Sequence, residues 1–265
     1  MKKIITLLIL TICINNSIFS QKKIEASTIL NDIKNGKNIS IENATIIGVL
    51  DLTFMDDALK NVPKKKKSSW FNWSSNNNSN TNEIEKLISV KISFKNCTFN
   101  NDVLAYIPTE ESGYTFTASF EEEVIFKNCE FTRKAMFKYS DFYKDSDFSY
   151  STFNDDNTFK YAKFLQKSNF YKTKFNEVAT FKYAKFSENV SFANAIFKDT
   201  ATFKYTQFKN GVSFSNTQFK EDLNIKYMNV SGGFDITGMD VNYEIDSKYT
   251  KINGKNFNKY LINNK

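Results

Sequence analysis

The apolar positions of this chain fall on a lattice that neither a helix nor a plain strand produces. Phe stands at 126, 131, 137, 142, 148, 153, 159, 164, 170, 175, 181, 186, 192, 197, 203, 208, 214 and 219, so steps of five and six alternate without a miss. An α-helix needs apolar residues three and four apart, and a strand two apart. A longer period lies over the first. The triplets Phe137-Lys138-Tyr139, Phe159-Lys160-Tyr161, Phe181-Lys182-Tyr183 and Phe203-Lys204-Tyr205 begin 22 residues apart. Four Phe in each 22 residues predict a coil with four short sides, one Phe pointing inward from each. The next coil stacks on it at a strand spacing of about 4.8 Å.

The residue two before each Phe is small almost throughout. One column reads Ser140, Ala162, Ala184 and Thr206, and a second reads Ala135, Asn157, Ala179 and Ala201. A third reads Cys129, Ser151, Thr173, Ala195 and Thr217, and a fourth Val124, Ser146, Ser168, Val190 and Val212. A narrow interior holds one large side chain per wall, and a second would overpack it. Burial of each Phe contributes about 1.5–3 kcal/mol before chain entropy is charged, so the columns dominate stability.

A central Phe with a small residue two positions earlier, as in Ala179-Thr180-Phe181-Lys182-Tyr183 and Ala184-Lys185-Phe186-Ser187-Glu188, resembles the pentapeptide-repeat superfamily in its Phe-rich form. The resemblance covers Val124 to Phe219. It implies an all-β fold, a right-handed quadrilateral β-helix of about 22 residues per coil. This chain departs from the family's five-residue step by one extra residue at every second side. It departs in charge as well, because the best-known members carry an acidic surface that mimics DNA and shields topoisomerases.

Outside the lattice the chain divides into recognisable parts. Met1-Lys2-Lys3, the apolar run Ile4–Ile14 and a polar stretch ending at Ser20-Gln21 read as a signal peptide over 1–20. The apolar run is too short to span a bilayer, which takes about 20 residues. Residues 21–60 read as an N-terminal cap and a first irregular coil. In that cap Ile24 to Lys34 is expected to be helical, with Ile24, Ile29, Leu30 and Ile33 on one face and Gly36 as the stop. Residues 61–82, with Lys64-Lys65-Lys66-Lys67, Trp70, Trp73 and an Asn/Ser tract, read as a disordered insertion. The solenoid is expected over 83–222, with a second insertion from roughly Asn101 to Tyr114. The last coil and a C-terminal cap occupy 223–265, since an open solenoid end exposes core.

Composition narrows the function. The formal charge is +7, and the leader lysines together with Lys64–Lys67 account for six of those charges. A nucleic-acid binder spreads Lys and Arg over a face, so no nucleic-acid role is expected. There is no His among 265 residues, which removes imidazole-based catalysis and His-ligated metal. No residue set calls for a cofactor, a metal or a catalytic constellation. A β-helical polysaccharide lyase would show Arg and Asp clustered on one face, and the chain has Arg133 as its single Arg.

Three features are candidate sites. Lys138, Lys160, Lys182 and Lys204 form one outward column, with Tyr139, Tyr161, Tyr183 and Tyr205 in a column beside it. One reading makes this a groove in which Tyr faces stack on sugar rings while Lys holds acidic groups. The other is structural: stacked Tyr stabilise the wall, and Asp155, Glu177, Asp199 and Glu221, also 22 apart, neutralise the lysines across a corner. Cys97 and Cys129 occupy one inward slot in matching motifs, and read either as a disulfide in an exported chain or as two buried thiols. Lys64, Lys65, Lys66, Lys67, Trp70 and Trp73 suit peripheral contact with an anionic membrane or envelope polymer, or a solvated loop. The chain is thus expected to be an exported, non-enzymatic scaffold in the periplasm, at the cell surface or secreted. Its partner would be a protein or an envelope polymer, and two solenoids pairing end to end is a further arrangement open to it.

Overall fold

A computed structural model describes residues 22–61, 82–108 and 113–258. The expected signal peptide, Lys64–Lys67, Trp70, Trp73 and the chain beyond residue 258 lie outside the described residues.

Residues one period apart pair in parallel and in register: Ser146 lies opposite Ser168, Phe153 opposite Phe175, Ala179 opposite Ala201 and Phe164 opposite Phe186. Four walls result, of eight, nine, eight and ten strands among the described residues. In chain order, wall 1 runs from Ile39–Glu42 to Phe234–Asp235, and wall 2 from Lys22–Glu25 to Asp240–Val241. Wall 3 runs from Leu50–Asp51 to Ile245–Asp246, and wall 4 from Glu83–Ile88 to Lys255–Asn256. This is the quadrilateral β-helix that the lattice predicts.

Inside, the lattice Phe are at most 3% exposed and stand in four columns. Within a column, rings of successive coils are parallel, as in Phe142–Phe164 at 4.6 Å and 2°. Between columns they meet edge to face, as in Phe159–Phe170 at 5.3 Å and 83°. Both geometries suit the ring quadrupole.

The alternation of five and six comes from two kinds of corner. In a five-residue step the chain makes a tight turn closed by an i to i+3 bond, such as Ala184 N–H to the Phe181 carbonyl at 2.9 Å. The third residue of that turn is left-handed, with φ of 62° at Tyr183 and 58° at Asn194, as a type II turn requires. The tight corners join wall 1 to wall 2 and wall 3 to wall 4. In a six-residue step the extra residue takes the chain round a wider corner.

From Asp147 onward the tight turns also dictate the residue before the Phe on walls 1 and 3. Its side-chain oxygen accepts the backbone N–H two residues on: Asp147 from Ser149 at 2.9 Å, Asn169 from Tyr171 at 3.0 Å, and Thr158 from Lys160 at 3.2 Å. Only short polar residues do this. Walls 2 and 4 precede wide corners and carry no such demand, so Lys163, Lys174, Lys185 and Gln218 are admitted there. Inside, Ser151, Thr173, Thr206 and Thr217 of the small-residue slots each donate to a Phe carbonyl of the preceding coil, as Thr173 does to Phe148 at 2.9 Å.

The N-terminal end differs from expectation at two residues, Ile24 and Glu25. Helix α1 spans Ala26–Lys34 and buries Ala26, Ile29 and Ile33, but Ile24 lies in strand Lys22–Glu25, paired with Ala44–Ile47. The open edge of the first coil accepts a strand before the helix begins. Gly36, at φ 71°, closes α1 with Lys37 N–H bonded to the Asp32 carbonyl. The second insertion is also shorter than expected, because Val103–Leu104 is a rung of wall 3 between Leu50–Asp51 and Ala135–Met136. Ala105 fills the Phe slot there, fully buried, so the lattice has no Phe to mark it. At the other end Lys255–Asn256 folds back antiparallel on Lys251–Ile252, and Phe257 is buried against Phe234.

Removing one ring at mid-solenoid tests the columns. Phe181→Ala is expected to lower the unfolding free energy by about 3–5 kcal/mol in a urea titration followed by far-UV circular dichroism. A loss below about 1 kcal/mol would contradict tight packing.

A stacked tyrosine and lysine ridge as the candidate interaction surface

The tight corner between walls 3 and 4 puts a Tyr in the left-handed position of every coil from Tyr139 onward, with φ between 58° and 65° at Tyr139, Tyr161, Tyr183, Tyr205, Tyr227 and Tyr249. A bulky residue is strained there, by the order of 1 kcal/mol or more. Ring stacking offsets the strain. Centroids of successive rings lie 4.9, 4.7, 4.7, 4.6 and 4.8 Å apart, four of the five pairs within 7° of parallel, and Tyr106 adds a tilted ring at 5.9 Å.

Each lysine before a ridge Tyr places its ammonium over that ring. Lys138, Lys160, Lys182 and Lys204 stand 4.8, 5.3, 5.2 and 5.4 Å from the ring centroids. Lys226 and Lys248 repeat the arrangement at 6.0 and 5.0 Å. Lys138 also donates to the Tyr106 hydroxyl at 2.9 Å.

This geometry bears out the stacked tyrosines of the structural reading and corrects the other two expectations for the ridge. Tyr faces cannot take sugar rings, because each inner face is covered by the next Tyr; a partner meets ring edges, hydroxyls and ammonium groups. The acid row does not neutralise the lysines within the chain either. Asp155, Glu177, Asp199 and Glu221 make no ion pair among the described residues, and Asp155 and Asp199 each accept the next backbone N–H. Wall 3 separates the two rows. The lysine ammonium groups stand beside the stacked rings instead, 4.8–6.0 Å from their centroids, with Lys226 also 4.0 Å from Asp246. Repulsion along the row persists: burial, and then the Lys138 and Lys182 ammonium groups, hold Lys160 below the ordinary lysine range.

The sequence reading ends at Tyr205 because the triplet ends there. Ile225 and Ser247 replace Phe, so Lys226-Tyr227 and Lys248-Tyr249 escape a search for Phe-Lys-Tyr, although the 22-residue step continues through them. Tyr106 escapes because it stands in the Lys position of its coil, next to Ala105 in the Phe slot, while Ile107 holds the Tyr position.

Two other features are structural in origin. A trough of about 680 Å³ runs along wall 1 over Asp147, Asn169, Ser191 and Ser213. These are the short residues that cap the tight turns, and Gly211 deepens it because a Cβ there would stand 2.8 Å from the Gly233 carbonyl oxygen. Cys97 and Cys129 are free buried thiols stacked in adjacent coils. They fill the slot of Ser151, Thr173 and Thr217, and Cys129 donates to the Phe94 carbonyl at 3.5 Å as those residues do to theirs. A hydrogen bond from Cys129 holds the Cys97 thiol down, to about 7, while burial and then the same bond push Cys129 far up.

The ridge has two measurable signatures. Burial, then the neighbouring Tyr227 and Tyr183, raise the Tyr205 hydroxyl above its ordinary value. A raised phenol contributes stability that is present below its unfolded value of about 10 and is lost as pH rises through the folded one. Tyr205→Phe is therefore expected to shrink the fall in melting temperature as the pH rises above about 10; an equal fall in both proteins would contradict this. Added NaCl is expected to raise the melting temperature of the natural chain more than that of a Lys160→Gln, Lys182→Gln variant, because salt screens a repulsion that the variant lacks.

A pentapeptide-repeat family model matches residues 116–163, 159–207 and 181–228. No curated protein and no solved structure matches the chain. The matched span begins at wall 4 beside the Tyr106 excursion and ends just past Tyr227, so it covers most of the ridge. Residues 116–228 of this chain are pentapeptide repeats.

Proposed function

We propose that this protein is an exported, non-enzymatic scaffold whose interaction element is the Lys–Tyr ridge. A pentapeptide-repeat β-helix is a repeat scaffold, and the finer reading rests on one observation: a file of six lysines, Lys138 to Lys248, held in place over tyrosine rings at one strand spacing per step. Holding like charges in file is unfavourable by itself. Rigid ammonium groups at a fixed pitch suit a partner bearing anionic groups along a line, and they need no conformational ordering before binding. Arg133, the residue a lyase reading would lean on, stands exposed at a wide corner away from the ridge. Export rests on the leader at 1–20.

The test is an array of glycans and envelope polymers, including alginate, probed with the natural chain and with a Lys160→Gln, Lys182→Gln, Lys204→Gln variant. Retention of anionic polymers by the natural chain is expected to fall at least tenfold in the variant. Binding that the change leaves untouched would remove the ridge from the function.

A further inference from the structure

The ridge is one of two charged rows that border the same wall. On the far edge of wall 3, at the wide corner from wall 2, stand Asp155, Glu177, Asp199 and Glu221. They repeat every 22 residues, as the lysines do, so both rows advance by one strand spacing, about 4.8 Å, per coil. Neither Lys160, Lys182 and Lys204 nor the four acids make an ion pair within the chain among the described residues. The reason is geometric: three extended residues of wall 3, such as Asn157 to Phe159, lie between the rows and hold them roughly 10 Å apart.

Between the rows the outward residues of wall 3 are Thr158, Thr180 and Thr202, continued by Met136 on one side and Asn224 on the other. They are short because the tight turns demand short acceptors: Thr158 and Thr202 accept the N–H groups of Lys160 and Lys204 at 3.2 and 3.5 Å. With the hydroxyls so engaged, methyl groups remain for a neighbour. Wall 3 is thus a flat, methyl-bearing strip with a basic edge and an acidic edge of equal pitch.

We propose that wall 3 is a self-association surface, and that the partner on the ridge is a second copy of this chain, side by side and parallel. A twofold axis parallel to the solenoid axis, lying between two facing copies of wall 3, exchanges left and right edges. It sets the lysine row of each copy against the acid row of the other, on both sides at once. A twofold axis perpendicular to the solenoid sets lysine against lysine and acid against acid, so the charge pattern selects the parallel pair. Matching pitch lets the four coils that carry Asp155, Glu177, Asp199 and Glu221 contribute alike, while in the coil of Lys138 the acid slot holds Arg133 and in that of Lys248 it holds Tyr243. The threonines meet their own counterparts on the midline, as an isologous interface requires.

The strip is roughly 10 Å wide and about 24 Å long over five coils. Even with the flanking side chains the interface buries less than about 1,200 Å² in total, the size of weak, transient complexes. The pair is therefore expected to be weak, in the micromolar range, and salt-sensitive, because exposed charges are screened beyond about 10 Å at 0.1 M salt. This inference rests on the reading of the ridge as the interaction element and names what occupies it.

The experiment is sedimentation velocity on the mature chain from 5 to 500 μM, in 20 mM and in 500 mM NaCl. A dimer is expected at low salt, with a dissociation constant at least tenfold larger at high salt. Two variants divide the charge: Asp155→Lys, Glu177→Lys, Asp199→Lys, Glu221→Lys makes both edges basic, and Lys160→Glu, Lys182→Glu, Lys204→Glu makes both acidic. Each is expected to be monomeric alone, and an equimolar mixture is expected to form a one-to-one complex. A mixture that stays monomeric while both variants keep the circular dichroism of the natural chain overturns the proposal, as does a natural chain that is monomeric throughout. Should either variant fail to fold, Thr158→Cys decides, because copper-phenanthroline oxidation links the introduced thiol to its counterpart in a parallel pair alone; failure to link overturns the proposal. The acid-row variant leaves the ridge intact. If it and the natural chain are both monomeric yet bind alginate equally, the ridge reading stands and the self-association falls. If neither binds and the natural chain is monomeric, both fall.

Discussion

Everything in this molecule depends on how much room one phenylalanine leaves. A wall that sends one ring inward every coil can place only a small side chain beside it, and the interior columns alternate accordingly, Phe with Ala, Ser, Thr, Cys or Val. Rings parallel within a column and edge-on between columns fill the cross-section with no third component. Each coil contacts only its neighbours, so stability is close to a sum of coil and interface terms. The same constraint explains the ends. Where no further coil follows, Phe234 occupies a small-residue slot and Ile236 a Phe slot, and Phe257 folds back over them.

The corners carry the constraint from the interior to the surface. A tight turn leaves a backbone N–H facing outward, and a short oxygen-bearing side chain two residues earlier accepts it. Walls 1 and 3 therefore have little freedom: their outward residues serve the turns. The left-handed position in each tight corner is restricted too, and the two corners meet the restriction differently. Between walls 1 and 2 it is often Asn, whose side chain tolerates that conformation and forms a ladder, Asn128 to Asn96 at 2.8 Å and Asn96 to Asn43 at 3.1 Å. Between walls 3 and 4 it is Tyr, and the stack meets the strain. Variation without structural cost is left to walls 2 and 4, the wide corners and the residue before each Tyr.

The interior was legible in the sequence because its period is incompatible with any other regular structure, and because one residue type marks it. Where another residue takes the Phe slot the signal fades while the geometry persists, as at Ile225 and Ser247, which hid Tyr227 and Tyr249. The strand before α1 was not legible, because Lys22–Glu25 has no lattice residue and acquires its conformation by pairing with Ala44–Ile47. The ridge was visible as two columns, but not what the columns do to each other. Spacing says that Tyr recurs every coil. It does not say that the rings face along the axis and use up the surfaces a sugar would need, since that follows from the left-handed φ of the corner. Nor does spacing give the width of wall 3, which decides whether Asp155 reaches Lys160.

That width turns a local puzzle into a property of the surface. Two rows of opposite charge on one chain would ordinarily collapse into ion pairs, each contributing little in water. Here a strip of three extended residues keeps them apart, and the rigidity of the stack prevents any coil from bending to bring them together. The cost of like charges in file is offset in part by solvent screening. What remains is a surface with fixed, unmatched and evenly spaced charge of both signs, and such a surface is most nearly satisfied by an object with the same spacing. The object guaranteed to share it is another solenoid of the same coil rise.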